Sequence, residues 1–154
     1  MLESRIIIKK AERKLLLCSA GEEPLTFPIA LGKDPVGHKE REGDNKTPEG
    51  TYYICIRNEN SKFYRSLGIS YPNKADADAA LLMGSITKED HANIHRAHED
   101  GRHPPFDTPL GGSIFIHGGG TDGDWTAGCV AAADAVMDVL FLHCPIGTPV
   151  TILP

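Results

Sequence analysis

The chain lacks the features that mark several large functional classes. Its 16 Lys and Arg are scattered and interrupted by 21 Asp and Glu, leaving a net charge of -5. Nucleic acid and anionic membrane surfaces both select for a basic face, so neither partner fits. No stretch is long and apolar enough to be a transmembrane segment. In Met1–Lys10 the apolar stretch Ile6–Ile8 gives way to Lys9 and Lys10, too short for a secretory leader. The expectation is a cytoplasmic chain, or one whose targeting segment has been removed.

Paired cysteines are missing too. The four cysteines stand at 18, 55, 129 and 144, and none forms a C-x-x-C, which argues against a structural zinc site or a thioredoxin-type motif. Cys18 closes the run Leu15–Leu17, Cys55 sits inside Tyr52–Ile56, and Cys144 precedes Pro145. All three read as small packing residues. No Gly-Lys-Ser/Thr follows Gly118–Gly120, which excludes a P-loop. Strands and helices do not alternate regularly, so a doubly wound nucleotide fold is disfavoured. Without repeats or shifts in composition, residues 1–154 read as a single domain, long enough to bury a core without disulfides.

What is present is a β-rich pattern. Arg5–Ile8, Lys14–Cys18, Leu25–Leu31, Thr51–Arg57, Phe63–Ser70, Ser113–Ile116 and Val150–Leu153 read as strands, with Pro28 placing the third near an edge. Gly32–Gly50 reads as a long surface loop. Lys74–Met83 suits a short helix. A second should run from Lys88 to about Asp100, with Thr87 as N-cap, Asp90 three residues on, and Gly101 closing it. Asp134 is expected to cap a last helix that carries Val136, Val139, Leu140 and His143 on one face.

Two constellations carry chemistry. His91, His95 and His98 share one face of the second helix, a spacing able to hold a metal. The zincin motif, however, places Glu directly after the first His, where this chain has Ala92, and the stripe reads as polar and solvent-facing. The second constellation is Ile114–Phe115–Ile116–His117–Gly118–Gly119–Gly120 with Trp125–Thr126–Ala127–Gly128–Cys129. A strand delivers His117 to a glycine turn, and the loop returns as Gly-Cys. Thiolate chemistry needs a nucleophile, a nearby base and main-chain N–H groups that can reach the substrate oxygen.

The His-Gly and Thr-Ala-Gly-Cys elements resemble the signature of the L,D-transpeptidase catalytic domain, the YkuD family. Asp44–Tyr52, Asn60–Pro72, Pro109–Gly112 and Gly147–Val150 resemble further family segments, in the same order. The resemblance implies a mostly β fold, a sandwich of mixed β-sheets with two or three short flanking helices. It also implies acyl transfer on peptidoglycan stem peptides through a thioester, in cell wall biogenesis at the periplasm or cell envelope. Cys129 would be the nucleophile, its thiolate favoured by His117 as adjacent base. The Gly118 carbonyl would orient the imidazole, and N–H groups of Ala127, Gly128 and Cys129 would form the oxyanion hole. Thr126, Ala127, Gly128, Trp125 and Tyr71 would bind substrate, the glycines would leave room for the acyl donor, and no metal or other cofactor is implied.

Two departures stand out. The commonest family form has His before the Gly-Cys and Arg shortly after it, where this chain has Ala127 and Ala131. An oxyanion hole uses main-chain donors, so the first change leaves the chemistry intact. The second removes an anchor for a substrate carboxylate. A Trp-Thr-Ala-Gly-Cys version resembles a recognisable branch of the family. Alternatives are a same-site thiol hydrolase (an L,D-carboxypeptidase, or one releasing envelope proteins from peptidoglycan), a non-catalytic wall-binding module, and a metal hydrolase using the helix histidines. The sequence sets no oligomeric state.

Overall fold

The computed structural model describes residues 3–154; Met1 and Leu2, where the leader was sought, lie outside the described residues. The chain runs β1 (Ser4–Lys9), β2 (Lys14–Ser19), β3 (Leu25–Pro28), β4 (Gly50–Ser61), β5 (Tyr64–Ile69), α1 (Lys74–Leu82), α2 (Lys88–Glu99), β6 (Phe115–His117), β7 (Val130–Ala131), α3 (Asp134–His143) and β8 (Pro149–Leu153). The strands form one mixed sheet in the order β3-β2-β1-β8-β4-β5-β6-β7. The β1–β8 and β6–β7 pairs are parallel, and the other pairs are antiparallel.

Curling makes this sheet a sandwich. β4 is 12 residues long and pairs with β8 through its first half and β5 through its second, with register shifts at Ile54/Ile56 and Asn58/Ser61. Such irregularities bend a strand and increase its twist. Past Pro28 the chain leaves β2 and bridges the far edge, Ala30 to Ala131 and Gly32 to Thr126. The two ends of the sheet therefore meet. A single apolar core fills the space between the halves, with Ile6, Ile8 and Leu17 from one and Leu67, Ile69 and Ile116 from the other. The strand expected over Leu25–Leu31 stops at Pro28, which has no N–H to continue the ladder.

The helices confirm some expectations and correct others. Thr87 and Asp90 form a reciprocal capping box, and Gly101 follows the α2 C-cap Asp100 with φ 68°. Asn73 and Asp76 form a second box at α1. Asp134, however, does not cap α3. Ala133 holds that position without a side-chain hydrogen bond, and the Asp134 carboxylate faces the glycine turn instead. The buried face of α3 carries Val136, Met137, Leu140 and Phe141, while His143 is exposed. Among the described residues no helix is long and apolar enough to cross a membrane.

The long loop after Gly32 is ordered by buried cations. Lys10, expected in a polar turn, is buried and donates to the carbonyls of Gly37 and Thr47 and to Glu49 at 2.8, 2.7 and 3.0 Å. Lys39 pairs with Asp44 at 2.9 Å, both side chains 3% exposed. His38 accepts from the Glu49 N–H through Nδ1 and donates through Nε2 to Asp76, each at 2.7 Å. These contacts seat the loop against the Gly128–Cys129 step, where the Lys46 carbonyl lies 2.8 Å from the point a Gly128 Cβ would occupy.

Candidate active site

The β6–β7 pair sets the strand that ends on His117 beside the one that begins directly after Cys129. Its parallel register sets Ile116 opposite Val130 and His117 opposite Ala131. Cys129 directly precedes β7, so one step back along this register lies Phe115, two residues before His117. The Phe115 N–H donates to Cys129 Sγ at 3.4 Å, and the thiol lies 3.5 Å from the Ser113 carbonyl. The hydrogen-bond partners of the thiol are thus main-chain groups.

The imidazole is held from several sides. His117 is 4% exposed, and its Nδ1–H donates to the Gly118 carbonyl at 2.6 Å. That bond leaves Nε2 as the basic nitrogen. One ring face stacks on Phe63, with centroids 4.6 Å apart and planes at 23°. Trp125 meets the ring edge-on at 5.5 Å and anchors its own Nε1–H on the Gly120 carbonyl at 3.0 Å.

Burial lowers the His117 pKa from its ordinary 6.5, the Gly118 hydrogen bond opposing it more weakly. Burial also pushes the Cys129 thiol above its ordinary 9.0, against smaller opposing contributions from the Phe115 N–H and the Lys39 charge. Both shifts favour the uncharged forms. Neither shift favours the thiolate–imidazolium form that an adjacent histidine was expected to promote.

Gly118 and Gly119 are closely packed, whereas a side chain at Gly120 would meet open space. Their N–H groups are all committed: Gly118 to the Phe63 carbonyl at 2.9 Å, Gly119 to Asp134 Oδ1 at 3.0 Å, and Gly120 to the Ala132 carbonyl at 3.0 Å. A side chain at Gly118 would collide with Asp134 and with the Phe63 carbonyl. The Thr-Ala-Gly-Cys turn is tied in a similar way. Thr126 Oγ1 donates to the Cys129 carbonyl at 2.7 Å and accepts from the Gly128 N–H at 3.1 Å. Gly128 takes φ +138°, where a side chain would be strained.

The residues expected to bind substrate divide accordingly. Thr126 is buried and holds the turn, Trp125 packs edge-on against His117, Gly128 is buried with its N–H in use, and Ala127 is exposed. Tyr71 does not line the site. It is fully buried, with its hydroxyl donating to the Leu110 carbonyl at 2.9 Å. The helix histidines part company as well: His98 is half-buried, its Nε2 donating to the Pro72 carbonyl at 2.6 Å, while His91 and His95 turn to Asp78.

Several supporting residues went unread. Asp124 receives a two-pronged Arg13 guanidinium at 3.1 and 2.8 Å and the Leu31 N–H at 3.0 Å, pinning the loop between β6 and β7 to the β1–β2 turn. Phe63 is remote from the motif in sequence, and Asp134, shortly after Cys129, reads as a helix cap; neither carries a local signal of its contact with the glycine turn.

Residues 3–152 match the L,D-transpeptidase catalytic domain, YkuD, nearly end to end. The chain belongs to this family. Among solved structures, the fold of this YkuD domain is similar to that of Bd1075 from Bdellovibrio bacteriovorus, with TM-score 0.64 at 21% identity, covering 98% of this chain and 48% of that one. The helical cell shape determining protein Pgp2 of Campylobacter jejuni, in its K307A mutant, gives TM-score 0.68 at 20% identity, covering 98% and 47%. An L,D-transpeptidase from Mycobacterium smegmatis gives 0.59 at 9% identity, covering 99% and 59%. The chain thus spans about half the length of the first two. No curated protein sequence matches it.

Proposed function

We propose that this YkuD domain is a cysteine-dependent acyl transferase acting on peptidoglycan stem peptides, an L,D-transpeptidase of the cell envelope. The observation that supports the reading is the β6–β7 pairing, which sets the strand ending on His117 beside the one that begins directly after Cys129, with the imidazole tautomer set by the Gly118 carbonyl. The donor peptide carbonyl approaches Cys129 from the exposed Ala127 side. Nε2 of His117 takes the thiol proton as sulfur attacks the carbonyl carbon. The oxyanion is held by main-chain N–H groups. Gly128 is already committed to Thr126, which leaves those of Ala127 and Cys129 for this task.

The imidazolium then protonates the leaving amine, D-alanine, and the tetrahedral intermediate collapses to a thioester. An acceptor amine resolves the thioester into a cross-link, and water would resolve it into a trimmed peptide. Loss of one oxyanion donor typically costs about 3 kcal/mol of transition-state stabilisation, so the conformation of the Thr-Ala-Gly-Cys turn matters as much as the thiol.

The test is intact-mass analysis after incubation with a stem tetrapeptide. The wild-type chain should gain the mass of an acyl tripeptide, and Cys129→Ala should gain none. Turnover by Cys129→Ala would overturn the assignment. Muropeptide dimers among the products support transfer, and trimmed monomers alone would replace it with hydrolysis at the same site.

A further inference from the structure

The α1–α2 pair packs on a small apolar core that includes Ala77, Ala80, Ile86, Ile94 and Leu110. Beside that core, His91 and His95 lie one turn apart on α2 and direct the same ring atom, Nε2, to one oxygen of Asp78 on α1. The separations are 2.7 and 2.8 Å. The two rings sit side by side, with centroids 4.4 Å apart and planes tilted by 35°. We propose that Asp78, His91 and His95 form a zinc site that clamps α1 to α2.

The geometry supplies three donors converging on one point. The ligating atoms all lie within 4.8 Å of one another. Zinc bonds of about 2.1 Å set tetrahedral ligand atoms about 3.4 Å apart; the two His–Asp separations, 2.7 and 2.8 Å, lie a little below that value. Small side-chain rotations therefore suffice, and neither helix has to move. Two imidazoles with one carboxylate match the borderline softness of Zn2+, whereas Mg2+ and Ca2+ favour oxygen ligands throughout.

Exposure fits an exchangeable surface ion. The Asp78 side chain is 59% exposed and the two imidazoles 25% and 26%, so the ion enters from solvent and keeps water in its remaining position. Because the ligands come from both helices, occupancy adds a cross-link to a pair that otherwise shares only modest apolar surface. The clamp lies within the insertion between β5 and β6, the strand that ends on His117. It is a structural site, separate from the thiol chemistry, and it differs from the histidine triplet legible in the sequence: Asp78 replaces His98.

The test is calorimetric titration of the full chain with Zn2+ in a Cys129→Ala background, with Co2+ absorption reporting the ligand type. Binding of one ion per chain is expected, with a Co2+ spectrum free of thiolate charge transfer. The Tm should rise by about 5–10 °C at about 100 times Kd. Losing an outer partner of a metal ligand already costs about 10–100-fold in affinity, so His91→Gln, His95→Gln and Asp78→Asn should each exceed about 100-fold. Each should also abolish the zinc-dependent rise in Tm, and His143→Gln, an exposed histidine on α3, should preserve both. The increment is read against each variant's own metal-free Tm, so a general loss of stability does not enter it. No binding, a thiolate band, or binding that survives in the His91→Gln/His95→Gln double variant would each overturn the proposal. Acylation is not part of the readout, so failure here leaves the thiol assignment untouched.

Discussion

The imidazole of His117 rests flat against the ring of Phe63, centroids 4.6 Å apart, and the Phe63 carbonyl accepts the Gly118 N–H at 2.9 Å. One residue in the β4–β5 turn therefore fixes both the plane of the ring and the start of the glycine turn. Phe63→Ala frees one ring face while leaving the main-chain bond possible. Acylation of Cys129 should fall by about 100-fold, the usual penalty for a small misplacement of a reacting group. Far-ultraviolet circular dichroism should be unchanged, and Phe63→Tyr should restore most of the rate. A rate within a few-fold of wild type for Phe63→Ala would show that Gly118 and Trp125 orient the base without it.

The pH dependence of the thiol separates a neutral pair from an ion pair. Burial raises the Cys129 pKa and lowers that of His117, so the thiolate accumulates only at pH above the ordinary thiol value of 9.0. The rate of alkylation by iodoacetamide should climb steadily through neutrality and keep rising beyond pH 9.0. His117→Gln should leave that profile nearly in place while abolishing acylation by donor peptide. A plateau across neutrality, lost in His117→Gln, would instead show a preformed thiolate–imidazolium pair.

Acid should destabilise the fold in a window set by two histidines, His117 buried and His98 half-buried. The folded-state pKa values of His98 and His117 both lie below 6.5, chiefly through burial. Both states are neutral above 6.5, so the full stability is present there. As pH falls below 6.5 the unfolded chain takes up protons first, and stability is lost. Thermal melts should show Tm dropping by several degrees between about pH 7 and about pH 5. His98→Gln should flatten part of that slope, and an unchanged slope would refute the assignment of His98 to it.

Much of the site was legible because its chemistry sits in short contiguous runs. His117-Gly118 and Thr126–Cys129 can be read directly, and the β-branched run before His117 announces the strand that delivers it. What could not be read depends on contacts between distant segments. Lys10 looks like a turn lysine until Gly37, Thr47 and Glu49 fold over it. Asp134 has the sequence position of a helix cap, yet its carboxylate is drawn to the Gly119 N–H. Tyr71 lies in a family-like segment, and its burial follows from packing that no local pattern encodes. The glycines suggested open space, which holds at Gly120, whereas Phe63, Asp134 and Trp125 close in on Gly118 and Gly119.

The buried Lys10 carries a stability prediction. Its ammonium meets two carbonyls and Glu49, and the Lys10 side chain is 3% exposed. Lys10→Met keeps the length of the stem but leaves the Glu49 carboxylate and both carbonyls without their donor. Breaking a buried pair from one side costs about 3–5 kcal/mol, and the 20% exposure of Glu49 places this case at the low end, about 3 kcal/mol. Urea unfolding should report that loss as a lower midpoint with an unchanged slope. Since the same contacts seat the 32–50 loop beside Cys129, acylation should fall as well, at temperatures where the variant is still folded.

Gly128 is the position where conformation and chemistry meet most closely. Its φ of +138° disfavours any side chain, and the Lys46 carbonyl lies 2.8 Å from where a Cβ would be placed. That carbonyl belongs to backbone held by Asp44 and the Lys39 ion pair, so it cannot yield cheaply. In Gly128→Ala the turn must open, shifting the Cys129 N–H away from the developing oxyanion while the thiol stays in place. Acylation should drop by about 100–1000-fold, the range seen when one oxyanion donor is lost. Alkylation by iodoacetamide, which builds no oxyanion, should change by only a few-fold. Parallel losses in both reactions would show that the substitution displaces the thiol itself, and the proposed role of this turn in binding the oxyanion would then fail.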